Sequence, residues 1–233
     1  IQKIKDNTSK TDSLGYLRLM QLVSPSLPIG GFTYSQGLEY AVEIGWVNNS
    51  ETFEDWLIGL LDDNMTHLDL PVLSRVYEAM RLKDNEALVY WSDLLLASRE
   101  SNELRQEEIN KAKALTILLP NLGIKISDEM IGALHTSQIT PFVLAAVSWK
   151  ISLRDTLLGY VWAWIENQVS AAIKLIPLGQ TEGQKVQFRI AKKIPSIIEK
   201  SFSIEDEDIG ACAPALGISS GQHETQYTRL FRS

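Results

Sequence analysis

SLRDTLLGYVWAWIENQVSAAIK, Ser152 to Lys174, decides the fold class. At about 1.5 Å per residue it makes a helix of roughly 30 Å. Ser152, with Asp155 three residues on, resembles a capping box in which Asp replaces the usual Glu or Gln. Leu157, Leu158, Tyr160, Val161, Trp162, Trp164, Ile165 and Val169 make the stretch apolar on most sides. Arg154, Asp155, Glu166, Asn167, Gln168 and Lys174 interrupt it, leaving an uncharged run shorter than the roughly 20 residues a bilayer requires. The reading is therefore a long central apolar helix wrapped by others. Pro177 stops it, with Lys174 near its negative end.

Outward from that helix the pattern stays helical. Phe53, Trp56, Leu57, Leu60 and Leu61 form one apolar stripe, with Ser50 as the expected cap and Glu51, Glu54 and Asp55 in the first turns. Pro71 is expected to open a second helix through Val72, Leu73, Val76, Tyr77 and Met80. Asp84 caps a third that buries Leu88, Trp91 and Leu95, and a fourth, about Leu104 to Leu119, ends at Pro120. Thr140 and Pro141 start another, from Phe142 to about Ile151. No alternating run between hairpin turns suggests strands, and there is no repeat. The expected fold is all-α, a single-domain helical bundle over residues 13–221. A polar, flexible arm (residues 1–12) precedes it, and a tail (residues 222–233) follows it.

The 233 residues are 45% hydrophobic with a formal net charge of −7, ordinary for a globular chain. The acidic balance and the lack of a basic stripe argue against nucleic acid as partner. A single cysteine, Cys212, excludes an internal disulfide and fits a reducing compartment such as the cytoplasm. It sits between alanines and reads as a small core residue. His67, His135 and His223 are far apart and show no metal-ligand spacing, so no metal site and no cofactor are expected. Their plain reading is surface or cap residues. The run from Gly179 to Lys185 is one residue short of a phosphate loop and lacks the following Ser or Thr, so nucleotide chemistry belongs to a partner.

Asp62 and Asp63, on an apolar helix, suggest a magnesium-dependent prenyl-transfer-type enzyme as the alternative, since paired carboxylates are hard ligands. Thr66 stands where a further aspartate belongs, and a solvated helix end is the plainer reading.

Three segments carry more chemistry than turns need. SPSLPIGGFTYSQGLE (Ser24–Glu39) puts Phe32 and Tyr34 at the head of an expected helix bearing Ser35, Gln36 and Glu39. KLIPLGQTEGQ (Lys174–Gln184) places Gln180 and Gln184 on one face. The tail QHETQYTRLFRS (Gln222–Ser233) would stack His223, Tyr227 and Phe231 on one helical face beside Glu224, Arg229, Leu230 and Arg232. A tail rich in aromatics and arginine is a peptide that seeks a surface.

These segments, with the ELR at Glu103–Arg105 and WAWIENQVSAAIKLIPLGQTEGQ, resemble the UreF family of urease accessory proteins, in the same order across Leu17 to Ser233. Lys111 and Ala112 stand where the family usually has a methionine–glycine pair. SSGQ replaces a methionine-containing run before His223, where Gly221 weakens a helix by about 1 kcal/mol. The resemblance implies an all-α, cytoplasmic, non-enzymatic protein that forms a homodimer. It implies binding of UreD (also called UreH) and reception of the nickel-carrying GTPase UreG. It further implies that the protein modulates that GTPase, and that the assembly acts on apo-urease so that its active-site lysine is carbamylated and nickel is inserted, with nickel in transit rather than in a stable site. The residues expected to meet partners are Tyr34, Gln36, Glu39, Lys174, Gln180, Gln184, His223, Glu224, Tyr227, Arg229, Phe231 and Arg232. The tail is expected to be mobile until UreD docks, with Arg229 then near Tyr34. Lys174 and Gln180 are expected on the GTPase-facing surface. A plain adaptor without effect on the GTPase is the third reading.

Overall fold

The Asp12 carboxylate accepts from Gly15 N and caps α1 (Ser13–Leu22), the first helix among the described residues. The computed structural model describes residues 10–210 and 213–233, so Cys212 and most of the polar arm lie outside the described residues. Thr11, at the arm's end, is buried: its hydroxyl donates to Asp155 and accepts from Ser152 N. After α1 come α2 (Leu38–Glu43), α3 (Ser50–Leu60), α4 (Leu70–Leu82), α5 (Asn85–Ala97) and α6 (Asn102–Asn121). Then follow α7 (Ile131–Thr136), α8 (Ile139–Ser148), α9 (Leu153–Leu175), α10 (Gln180–Ala191), α11 (Ile194–Ser201) and α12 (Pro214–His223). No strand occurs among the described residues. The all-α single domain read from the sequence is the fold.

Asn49, not Ser50, caps α3, accepting from Glu51 N and Thr52 N at 2.9 and 3.0 Å while Thr52 returns the bond. Nor does α3 stop before Pro71. It widens into a π-helical stretch, Leu61–Asp69, and runs on as α4. The wide turn answers the proline: Pro71 lacks an N–H and its ring crowds the carbonyl four residues back. That carbonyl, of His67, accepts instead from Gly210 N at 3.0 Å. Likewise α6 carries Pro120 within its last turn and ends one residue later.

Among the described helices α8 is the one closed in on all sides, with Ile139 to Ala146 buried throughout. It packs on α4, α6 and α5. Helix α9 packs on α10, α11, α2 and α4, yet its Trp162 and Ser170 side reaches the surface. Ser152 caps α9 by accepting from Asp155 N at 3.1 Å. The reciprocal half of the box differs from expectation: Asp155 takes the Ser152 and Thr11 hydroxyls, and Thr11 takes the Ser152 amide. An aspartate is one methylene shorter than the glutamate that would reach back.

The π stretch delivers Asp69 into the interior, where Arg99 holds both its oxygens, at 3.1 and 2.6 Å, and the Glu108 carboxylate at 3.0 and 2.5 Å. Glu108 also accepts from Gln138 N at 2.9 Å, and the Tyr160 hydroxyl reaches Asp69 at 3.3 Å. One buried guanidinium thus ties α4's approach, α6, α8 and α9 together. Burial lowers the pKa of Arg99, but Asp69 and Glu108 outweigh it and hold the guanidinium well above its usual value.

Candidate partner-docking site

The helix expected to bear Ser35, Gln36 and Glu39 begins later than its sequence suggested, and only Glu39 of the three lies in it. Gly30, in a left-handed conformation at φ 75°, leads into a single 3-10 turn, Gly31–Thr33. Gln36 and Gly37 are both left-handed, at φ 54° and 76°, and α2 begins only at Leu38. Gly37 is required on a second count. A side chain there would come within 2.4 Å of Ser219 Oγ and 3.1 Å of Ser220 N, because α12 crosses at that point. The contorted segment turns Ser35, Gln36 and Glu39 inward.

Glu39 is buried in the first turn of α2. Its carboxylate accepts from Leu230 N at 2.6 Å and Phe231 N at 2.9 Å, and meets His223 Nε2 at 3.1 Å. His223 Nδ1 faces Glu103 at 2.6 Å, and Arg229 donates to the other Glu103 oxygen at 2.6 Å. The chain end is fastened further along: Arg232 N donates to Thr33 O, Ser35 N to the Ser233 main-chain oxygen, and Ser233 Oγ to Glu107. Glu107 also takes Gln36 Nε2 at 2.8 Å and Lys111 Nζ at 3.0 Å. Gln36 Oε1 accepts from Trp164 Nε1 at 2.6 Å, and Asn167 of α9 donates to Tyr34 O. The Lys174 ammonium lies 5.4 Å from the centre of the Phe231 ring.

Several sequence expectations change here. His223, Tyr227 and Phe231 do not share a helical face. Helix α12 runs through Gly221 but ends at His223, His223 and Phe231 are buried, and Tyr227 is fully exposed. The tail amides that would have closed a helix find a carboxylate and a carbonyl instead, which favours an irregular, extended path. His223 is thus not a surface residue, and acts here as a buried brace between Glu39 and Glu103. In the chain by itself Arg229 pairs with Glu103, and Tyr34 is buried with its hydroxyl accepting from Asn110 at 3.4 Å. The tail lies docked on the body of the chain. Glu224 caps α6, accepting from Asn102 N and Glu103 N at 2.7 and 3.1 Å. Gln180 and Gln184 are exposed on α10, and Gln184 bonds its neighbour Gln187.

What faces outward around the fastened tail is Phe32, Tyr227, Leu230, Arg229, Arg232 and, beyond Phe231, Lys174. Two aromatics, an aliphatic side chain and three cations on a braced backbone have the makeup of an interface centre. Sequence reasoning missed as braces Glu107, Trp164, Asn167 and Gln168, the last donating from Nε2 to Ser35 O at 3.3 Å. One signal was legible: Glu103, Glu107 and Lys111 recur four apart and line one face of α6.

Asp62 and Asp63 lie exposed on the π-helical stretch. Among the described residues no group of three or more His, Cys, Asp or Glu side chains is placed to share a metal ion. No helix among them is long and apolar enough to cross a membrane.

The UreF family model matches residues 47–191. The chain belongs to the UreF family. The urease accessory protein UreF of Alcanivorax borkumensis is 46% identical over 224 residues, covering 94% of this chain and 98% of that protein. That of Pseudomonas entomophila is 44% identical over 220 residues, with 94% and 98% covered. That of Alkalilimnicola ehrlichii is 42% identical over 227 residues, with 97% and 100% covered. In this UreF-family chain the family model stops short of both the Ser24–Glu39 segment and the tail, while the full-length relatives span nearly the whole chain.

Proposed function

We propose that this chain is a non-enzymatic urease maturation factor. In this role it offers UreD (UreH) and the GTPase UreG a ready-made contact platform during nickel delivery to apo-urease in the cytoplasm, and it works as a homodimer. Nickel is cargo of the assembly and has no stable site on this chain. The observation that carries the reading is the tail: Glu39 holds Leu230 and Phe231 by their backbone amides, and so presents Tyr227, Leu230 and Arg229 outward. A surface braced before contact loses less conformational entropy on binding than a mobile peptide would. Membership of the UreF family supports the choice of partners.

Deleting Arg229–Ser233 is expected to abolish the complex with UreD and UreG while leaving the far-ultraviolet helix signal and unfolding cooperativity in place. Size-exclusion chromatography of the three purified proteins reads the first, circular dichroism the second. Full recruitment of UreG by the shortened chain refutes the platform.

Lys174→Ala removes one cation from the platform and the contact over Phe231. It is expected to cost the fold under about 1 kcal/mol. GTP turnover by UreG in the presence of the variant should nevertheless differ from that with the parent chain. Identical turnover removes Lys174 from the GTPase-facing surface and favours the plain adaptor.

A further inference from the structure

A cleft of about 120 Å³ lies between the end of α1, the Pro25–Phe32 loop and the outer side of α9. Leu22, Val23, Leu27, Ile29 and Phe142 give it apolar walls, with Phe32 and Trp164 also in the lining. Glu166 stands in this apolar lining, half-buried, and pairs with no side chain among the described residues. The one cation in the lining, Lys111, is already taken by Glu107 at 3.0 Å.

We propose that this cleft receives an arginine side chain from a partner protein, with Glu166 as its counter-ion. An unpaired carboxylate in an apolar setting is a costly group that an incoming cation relieves. One carboxylate is too few for a metal ion, which takes several oxygen ligands. A guanidinium fits on three grounds. It is weakly hydrated, it meets a carboxylate with two parallel N–H donors, and it packs against aromatic rings. The methylene stem of arginine suits the aliphatic walls. A partner's side chain is a better fit than a free ion because Phe32 belongs both to this lining and to the exposed platform beside the tail. A protein seated on the platform can therefore reach the cleft. Burial raises the pKa of Glu166 above its ordinary value. Only the ionised form pairs with arginine, so arginine affinity falls as pH drops through that raised value.

The inference goes beyond the proposed role, and its test needs none of the maturation partners. The full chain, with 15N-labelled tryptophan indoles, is titrated with N-acetylarginine amide and separately with the citrulline counterpart, which keeps the shape and loses the charge. The Trp164 indole resonance is expected to shift saturably with the arginine compound and much more weakly with citrulline. Glu166→Gln should weaken the arginine response about tenfold. Ala163→Leu, which fills the cleft from α9, should abolish it with the helix signal unchanged. Deleting Arg229–Ser233 should leave the response in place, which separates this idea from the platform. A Trp164 resonance that does not move overturns the proposal. So does an equal response to citrulline, or one indifferent to Glu166→Gln.

Discussion

Glu39→Ala is expected to release residues 229–233 from the body of the protein and to abolish assembly with the maturation partners. Three groups lose their acceptor at once: two backbone amides and the ring of His223. A buried donor without an acceptor costs about 1–3 kcal/mol, so the tail swings out to water rather than stay. The docked state should lose about 3 kcal/mol, two orders of magnitude in amide exchange protection at Leu230 and Phe231. The global unfolding transition should move much less, because the helices beneath keep their apolar contacts. Glu39→Gln retains one oxygen acceptor and should fall between the two. Hydrogen exchange followed by mass spectrometry or NMR checks it. A tail still protected in Glu39→Ala would show that Phe231 burial and the Thr33 and Ser35 contacts hold it unaided.

The second large effect is global. Arg99→Ala strands Asp69 and Glu108 in the interior without their cation, and breaking a buried ion pair in this way costs about 3–5 kcal/mol. The urea midpoint should drop accordingly with the slope unchanged. Adding Asp69→Asn and Glu108→Gln to Arg99→Met should recover much of the loss, since the penalty lies in the orphaned charges. A wild-type midpoint for Arg99→Ala would mean that water already screens the cluster. The same cluster sets an alkaline limit. Burial first, then Asp69 and Glu108, raises the pKa of the Tyr160 phenol well above its usual value. The unfolded phenol ionises near pH 10 and the folded one does not. Above about pH 10 the unfolded state therefore binds fewer protons, and stability falls as pH rises. Tyr160→Phe should soften that fall.

These two clusters show where sequence reading reached and where it stopped. The helices Phe53–Leu60, Asp84–Leu95 and Ser152–Lys174 were legible because 3.6-residue periodicity and capping are local properties of the chain. The π stretch was not, because Pro71 reads as a helix start unless one knows that Gly210 takes the His67 carbonyl. Helix α11 went unremarked although Ile194, Ile197, Ile198 and Ser201 recur at helical spacing, because its stripe spans only two turns.

The docking site divides in the same way. Its ingredients were visible as three segments out of proportion to their role as turns, and Glu39, His223, Arg229 and Lys174 were all singled out. Their geometry was not visible. Helical spacing predicted that His223, Tyr227 and Phe231 would stack, yet a single carboxylate some 190 residues away in sequence offers the tail amides a better acceptor than a further helical turn. The amino-acid order alone settled what is decided over a few residues: an all-α chain, its main helix starts, and membership of the UreF family. The fold in space decided what depends on distant groups meeting: which polar side chains are buried braces, which remain outside, and the unpaired Glu166 in its apolar cleft. A hydrogen-bond donor takes whichever acceptor lies within about 3 Å, and sequence separation does not reveal which one that is.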